Sequence, residues 1–187
     1  MAELTRIVLA GEGGQGVQTV AEILAEAANE EGKHFGVEQR GGVSVAYVQI
    51  SDSQIGSPKF QTGDIVVALS DRAVQRTQKY VGPETTFVYD SKIQGLEGEL
   101  PKNAREVLPI PAIEVAKKEF HPRVFNIIIL GAVVSASRVI SLEQAKAAIE
   151  KRLGYKFEKQ PELRDFNYRA LERGADMVRP HGRPCFA

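Results

Sequence analysis

Apolar positions along the chain fall into short continuous runs and helical stripes that take turns. Ile7-Val8-Leu9-Ala10 is an unbroken apolar run that stops at Gly11-Glu12-Gly13-Gly14-Gln15-Gly16. It reads as a buried strand entering a glycine-rich turn. Val17, Val20, Ala21, Leu24, Ala27 and Ala28 then recur at helical spacing, Glu22, Glu26, Glu30 and Glu31 fall off that stripe, and Gly32 supplies a stop. Lys33 to Val37 reads as a second strand, which completes a βαβ unit. Val43 to Ile50 is β-branched and continuous, as in a strand covered on both faces.

Ser51 to Gly63 is a polar connection containing glycine, and Asp64 to Leu69 is a further buried strand. Ser70-Asp71 is placed to cap a helix running through Tyr80, which Gly82-Pro83 breaks. Thr86 to Tyr89 predicts a strand ending at Asp90-Ser91. Val107 to Ile110 predicts the last one, with Pro109 placing it near an edge.

Helical patterns dominate from Pro111 onward. A short helix spans Ala112 to Phe120, and Asn126 to Ser137 is apolar almost all round. The latter is too short to cross a bilayer, so it is a buried or interface helix. Gly131 and Ser135, one turn apart, suit close packing against another chain or against this protein's own sheet. Ser141 to Gln144 matches a capping box whose helix runs to Gly154, and Pro161 begins a final amphipathic helix to about Val178. The pattern predicts an α/β class: a Rossmann-like three-layer fold with a central, mainly parallel sheet and a helical C-terminal part. Residues 1–178 form one domain, and 179–187 a flexible tail.

Composition narrows the chemistry. Lys+Arg and Asp+Glu balance at 24 each, and 43% of the 187 residues are hydrophobic. Bulk charge therefore points to neither nucleic acid nor membrane as partner. No membrane span and no signal peptide is evident, so the expected compartment is the cytoplasm. The one cysteine, Cys185, cannot supply the thiolates of an iron–sulfur site, and the three histidines form no H-x-x-x-H or H-E-x-x-H pair.

The chemistry concentrates in the first turn. Gly11, Gly13 and Gly16 follow G-x-G-x-x-G spacing, with Gly14 as a fourth glycine. Such a corner either allows tight strand–helix packing or brings an anion against the unpaired N–H groups of the next helix. A dinucleotide site also needs an acid about twenty residues on for the ribose, and Glu38 lies near that distance. Glu38 runs directly into Gln39-Arg40-Gly41-Gly42, which reads as a turn exposing the Arg40 cation. Asp71 and Asp90 stand at other strand ends; helix cap and turn former suit them better than catalytic acid.

Gly11-Glu-Gly-Gly-Gln-Gly16, followed by Glu38-Gln-Arg-Gly-Gly42 and a hydrophobic strand, resembles the gamma subunit of 2-oxoacid:ferredoxin oxidoreductases. Asn126 with Leu130-Gly131-Ala132, and Asn167-Tyr-Arg-Ala-Leu-Glu-Arg-Gly174, resemble two helices of that family. The likeness covers roughly residues 5–178. It implies a non-autonomous subunit of a complex that oxidatively decarboxylates a 2-oxoacid to acyl-CoA. Thiamine diphosphate, magnesium and iron–sulfur clusters would be carried by alpha, beta and delta-type partner subunits, with ferredoxin as electron acceptor. It further implies that this chain helps close the site near coenzyme A or the thiamine cofactor, with Gly11, Gly13, Gly14, Gln15, Gly16, Arg40 and Gly41 as cofactor-binding candidates. The Glu-x-Arg-Gly-Gly form leans toward the 2-oxoglutarate type. The rival readings are a stand-alone Rossmann-type nucleotide-binding protein or NAD(P)-dependent reductase, and a purely structural subunit whose glycines only make the turn.

Overall fold

In a computed structural model, the structure describes residues 4–40, 43–57, 59–96 and 98–178, with backbone alone at 37–40. The elements are β1 (Leu4–Gly11), α1 (Val17–Glu30), β2 (His34–Arg40), β3 (Ser44–Ser51), β4 (Ile65–Ala68), α2 (Asp71–Thr77), β5 (Thr86–Asp90), β6 (Glu106–Ile110), α3 (Ala112–Glu119), α4 (Phe125–Ser137), α5 (Leu142–Lys159) and α6 (Glu162–Met177). One-turn 3-10 segments follow α2 and precede α4.

The six strands form one sheet in the order β2-β3-β1-β4-β5-β6. From β1 to β6 the pairings are parallel. On the other side β3 lies antiparallel to both β1 and β2. The sheet is therefore mixed. The sequence reads a simple βαβ unit, but β3 is inserted between β1 and β2 by a hairpin, so the first crossover skips one position. Glu38-Gln39-Arg40 accordingly continues strand β2, with Arg40 opposite Val45. Gly41 and Gly42 of the expected turn lie outside the described residues, as does the expected flexible tail at 179–187.

Strand alternation sends side chains to two apolar layers. Ile7, Leu9, Val48, Ile50, Val67 and Val88 meet α1 and α3–α6 on one face, while Val8, Ala10, Val45, Tyr47, Val66 and Phe87 meet α2 and the long loops on the other. α4 is buried from Phe125 through Val134 apart from a half-buried Asn126. Gly131 serves neither another chain nor the sheet: it meets the backbone of Leu171 on α6, and Gly174 of α6 meets the backbone of Ile128 on α4. Each glycine lies three residues from the carbonyl its partner touches, so the two helices cross with backbones in contact. The Ser141/Gln144 capping box forms on both sides. The helix it opens continues through Gly154 to Lys159, because the open environment of Gly154 makes glycine only a mild propensity cost there.

Candidate functional site: a cationic cleft at the first glycine turn

The turn after β1 is held from beneath by a side chain. Gln15 Oε1 accepts from the Glu12 N–H at 2.7 Å, and Gln15 Nε2 donates to the Leu69 carbonyl at 2.9 Å. This ties the β1 turn to the β4 turn. Ser70 Oγ donates to Glu12 Oε1 at 3.2 Å, and Arg72 lies 3.6 Å from the same carboxylate. A Cβ on Gly11 would stand 2.5 Å from Gln15 Oε1, so a larger residue there would displace the side chain that holds the turn. Gly16 is required twice over: its φ is +78°, and a Cβ would meet Asn126 Cβ at 2.6 Å. Gly13 and Gly14 form the exposed crest, with open space above both.

Gly16 begins α1 with no side-chain cap. The first helical hydrogen bond is Val20 N–H to the Gly16 carbonyl, so the amides of Val17, Gln18 and Thr19 have no acceptor within the helix. These three residues line a cleft of about 640 Å³ that is also bordered by Ala116 and Lys117 of α3, by Arg123, and by Asn126 of α4. α4 also starts at this cleft without a side-chain cap, and neither α1 nor α4 has an acid in its first turn. The positive end of α1, worth roughly half an elementary charge, thus opens on this space, whereas α4 continues from the 3-10 turn that His121 caps. Lys117 and Arg123 are exposed, and neither side chain has an ion-pair partner among the described residues. Glu12, the one acid on the wall among the described residues, is engaged by Ser70 and Arg72. Lys117 and Arg123 thus give the cleft wall two cations without ion-pair partners among the described residues.

Of the sequence candidates, Gly14, Gln15 and Gly16 line this cleft. Gly11 lies under the loop and Gly13 on its outer crest, while Gly41 and the Arg40 side chain lie outside the described residues. By backbone register Arg40 opposes Val45, which opposes Ala10, so it stands at the same end of the sheet two strands from the glycine turn. Lys117 and Arg123 carry no sequence signal of their own. A Lys-Lys pair in a helix's last turn reads as a solvated end that complements the dipole.

The other strand-end acids are structural. Asp71 occupies the first turn of α2, capped by Ser70. Asp90 is fully buried; its carboxylate accepts the Lys92 N–H at 2.8 Å and the Ile113 N–H at 2.7 Å, so it caps α3 from a neighbouring strand. Desolvation raises its pKa, against the lowering effect of those amides. Among the described residues no group of three or more His, Cys, Asp or Glu is placed to hold a metal ion. No helix there is long and apolar enough to cross a membrane.

The family model for pyruvate ferredoxin/flavodoxin oxidoreductase matches residues 6–177. The chain belongs to this family. It is 34% identical over 160 residues to the 2-oxoglutarate synthase subunit KorC of Archaeoglobus fulgidus, covering 82% of this chain and 81% of that one. It is 33% identical over 180 residues to the ketoisovalerate oxidoreductase subunit VorA of Methanothermobacter thermautotrophicus, covering 93% of this chain. It spans only 36% of the length of that relative. The family member's fold superposes on the gamma subunit of a keto/oxoacid ferredoxin oxidoreductase from Geobacter sulfurreducens with a TM-score of 0.76 at 28% identity, covering 93% of this chain and 98% of that one. A 2-oxoglutarate:ferredoxin oxidoreductase from Magnetococcus marinus, solved with 2-oxoglutarate, coenzyme A and succinyl-CoA bound, shares the fold with a TM-score of 0.84 at 24% identity; this chain covers 31% of it.

Proposed function

We propose that this chain is the gamma component of a multi-subunit 2-oxoacid:ferredoxin oxidoreductase, and that its glycine-turn cleft receives an anionic group at the site the assembled subunits share. The carrying observation is the convergence of the uncapped α1 amides with Lys117 and Arg123. A phosphate of coenzyme A fits that charge and volume, as does a carboxylate from a partner chain. Thiamine diphosphate, magnesium and iron–sulfur clusters, on alpha, beta and delta-type partners, would supply decarboxylation and electron transfer to ferredoxin. Here the backbone amides of Val17 to Thr19 orient an oxyanion, Lys117 and Arg123 neutralise it, and Gln15 keeps the loop rigid. Arg40 adds a further contact from the β2 end.

A tagged chain recovered from its own host tests the assembly. We expect a large brown complex containing iron, sulfide and thiamine diphosphate, with 2-oxoglutarate the first substrate to assay. A small colourless species carrying a nucleotide overturns the reading. Within the complex, a Lys117→Ala/Arg123→Ala variant should raise the coenzyme A KM at least tenfold, about 1.4 kcal/mol, with kcat little changed. If the assembly dissociates instead, the cleft holds a partner chain. Arg40→Ala should raise the same KM or loosen assembly, and unchanged values for both remove Arg40 from the site.

A further inference from the structure

The other end of β1 carries a second polar site, on the opposite face of the sheet. Along that face the strands are apolar at Ala10 opposite Val45 and at Val8 opposite Tyr47, then turn polar together at Arg6 opposite Gln49, with Leu4 opposite Ser51 beyond. A sheet face packed under a loop is ordinarily apolar throughout, so a switch on two adjacent strands at one level marks a built feature. Gln49 is 2% exposed and Ser51 4%. Gln49 Nε2 donates to the Ser57 carbonyl at 3.0 Å, and Ser51 Oγ accepts the Ser53 N–H at 3.1 Å, so both hold the 51–57 connection in place. Beneath that connection lies a cleft of about 640 Å³ whose walls include Arg6, Gln49, Ser51, Lys59, Gln61 and Thr62.

Arg6 is the focus. It is half-buried, and its guanidinium has no ion-pair partner among the described residues. The nearest acid in the chain's hydrogen-bond pattern is Asp64, which accepts from the Arg6 backbone N–H at 2.7 Å and lines a different cavity. Lys59 is exposed at the rim and likewise unpaired. Among the described residues no acid is on the wall. Two uncompensated cations, a buried amide donor and several hydroxyls enclose a space of small-metabolite size. We propose that this cleft binds a small free oxyanion, a carboxylate or phosphate metabolite, held by the Arg6 fork with Lys59 at the rim. Six residue steps along β1 separate Arg6 from Glu12, roughly 20 Å, so the site is separate from the glycine-turn cleft.

Titration of the full chain with inorganic phosphate and with citrate, followed by amide chemical shifts, tests this. We expect saturable shifts at Arg6, Gln49 and Ser51, and at least tenfold weaker binding in Arg6→Gln. Lys59→Ala, on an exposed loop where folding is not at stake, should weaken binding about threefold, while Lys117→Ala leaves it unchanged. Absence of saturable shifts overturns the proposal, as does binding indifferent to both Arg6→Gln and Lys59→Ala, or binding lost with Lys117→Ala. Repeating the titration on the assembled complex separates sources: retained binding supports a free oxyanion, and blocked binding shows that a partner chain's acid fills the cleft and refutes it.

Discussion

The α4–α6 crossing makes a sharp quantitative prediction. A methyl carbon on Gly131 would stand 2.8 Å from the Leu171 carbonyl carbon and 3.0 Å from the Ala175 nitrogen, with the Leu171 oxygen nearer still. Carbon atoms in contact prefer about 3.5–4.0 Å, so Gly131→Ala must push the two helices apart by about 1 Å. The obstruction is backbone on both sides, so no rotamer change relieves it. Overpacking in a core costs about 1–3 kcal/mol. This site belongs at the top of that range or above, because α4 carries Ile127 to Val134 into the core with it. Alanine returns up to about 1 kcal/mol of helix propensity. The net loss should be about 2–4 kcal/mol. Gly174→Ala meets the Ile128 carbonyl carbon at 2.7 Å and should cost the same. The double variant should cost less than the sum, since one separation accommodates both methyls. Gly154→Ala is the internal control: it is also helical, but the nearest atom to its Cβ is a Glu150 carboxylate oxygen at 3.8 Å, so it should be stabilising by about 0.5–1 kcal/mol. Urea unfolding reads all four variants, with Gly131→Ala lowering the midpoint by roughly 1–2 M. A Gly131→Ala protein as stable as Gly154→Ala would refute the backbone-contact crossing.

In the glycine turn, Gly16→Ala should destabilise by about 1–3 kcal/mol, through its positive φ and the Asn126 contact, whereas Gly13→Ala, facing open space, should leave unfolding unchanged and disturb only assembly or turnover. Asp90→Asn sets an amide N–H₂ against one of two backbone donors and should cost about 1–3 kcal/mol by denaturant midpoint. The folded Asp90 pKa is raised above 3.8, so the wild-type contribution is fully present below 3.8 and lost as pH rises through the folded value. The Asn penalty should thus be larger at pH 4 than at pH 7, and the reverse trend would show the amides outweighing desolvation. Glu114 runs the opposite way: hydrogen bonds from Lys118 and Lys92 lower its pKa to about 2, so its contribution is present above 4.5 and lost as pH falls through about 2. Carboxyl-carbon NMR should place its midpoint near 2 at low salt and higher in 1 M NaCl, since the pair is surface-exposed.

Local rules predicted most elements well because those elements are locally encoded. The Ser70 cap, the Ser141/Gln144 box, the stripe of α1 and the buried run of β3 each rest on residues a few positions apart. The sheet order did not yield to such reading. Nothing near residue 43 states that β3 passes between β1 and β2; that follows from Ile7 and Val37 both pairing with Val48. Gly131 stood out as a small residue one turn from Ser135, yet its counterpart is Gly174, far along the chain. Spacing on one helix says that close approach is possible and leaves open what approaches. The cleft divides the same way. Its glycine half is written in one hexapeptide, while Lys117 and Arg123 gain meaning only once α3 and α4 are folded against that turn.

The inserted strand also favours isolated-anion over nucleotide chemistry at the cleft. A dinucleotide site places its ribose-binding acid at the end of the strand beside β1, next to the pyrophosphate on the first helix. Here that neighbour is β3, and Ser44 stands opposite Gly11. Glu38, opposite Tyr47 on β2, is one strand further out. Among the described residues no acid stands at the end of β3 beside Gly11, while Lys117 of α3 and Arg123 just before α4 border the cleft onto which α1 opens. On the proposed reading such a site holds a phosphate or carboxylate and lacks the strand-end acid that would distinguish a nicotinamide dinucleotide. NAD(H) titrated into the chain should compete no better than a simple phosphate monoester of equal charge. Selective, tight NAD(H) binding would mean that the β2 end closes over the turn and supplies the missing acceptor, and the dinucleotide reading would return.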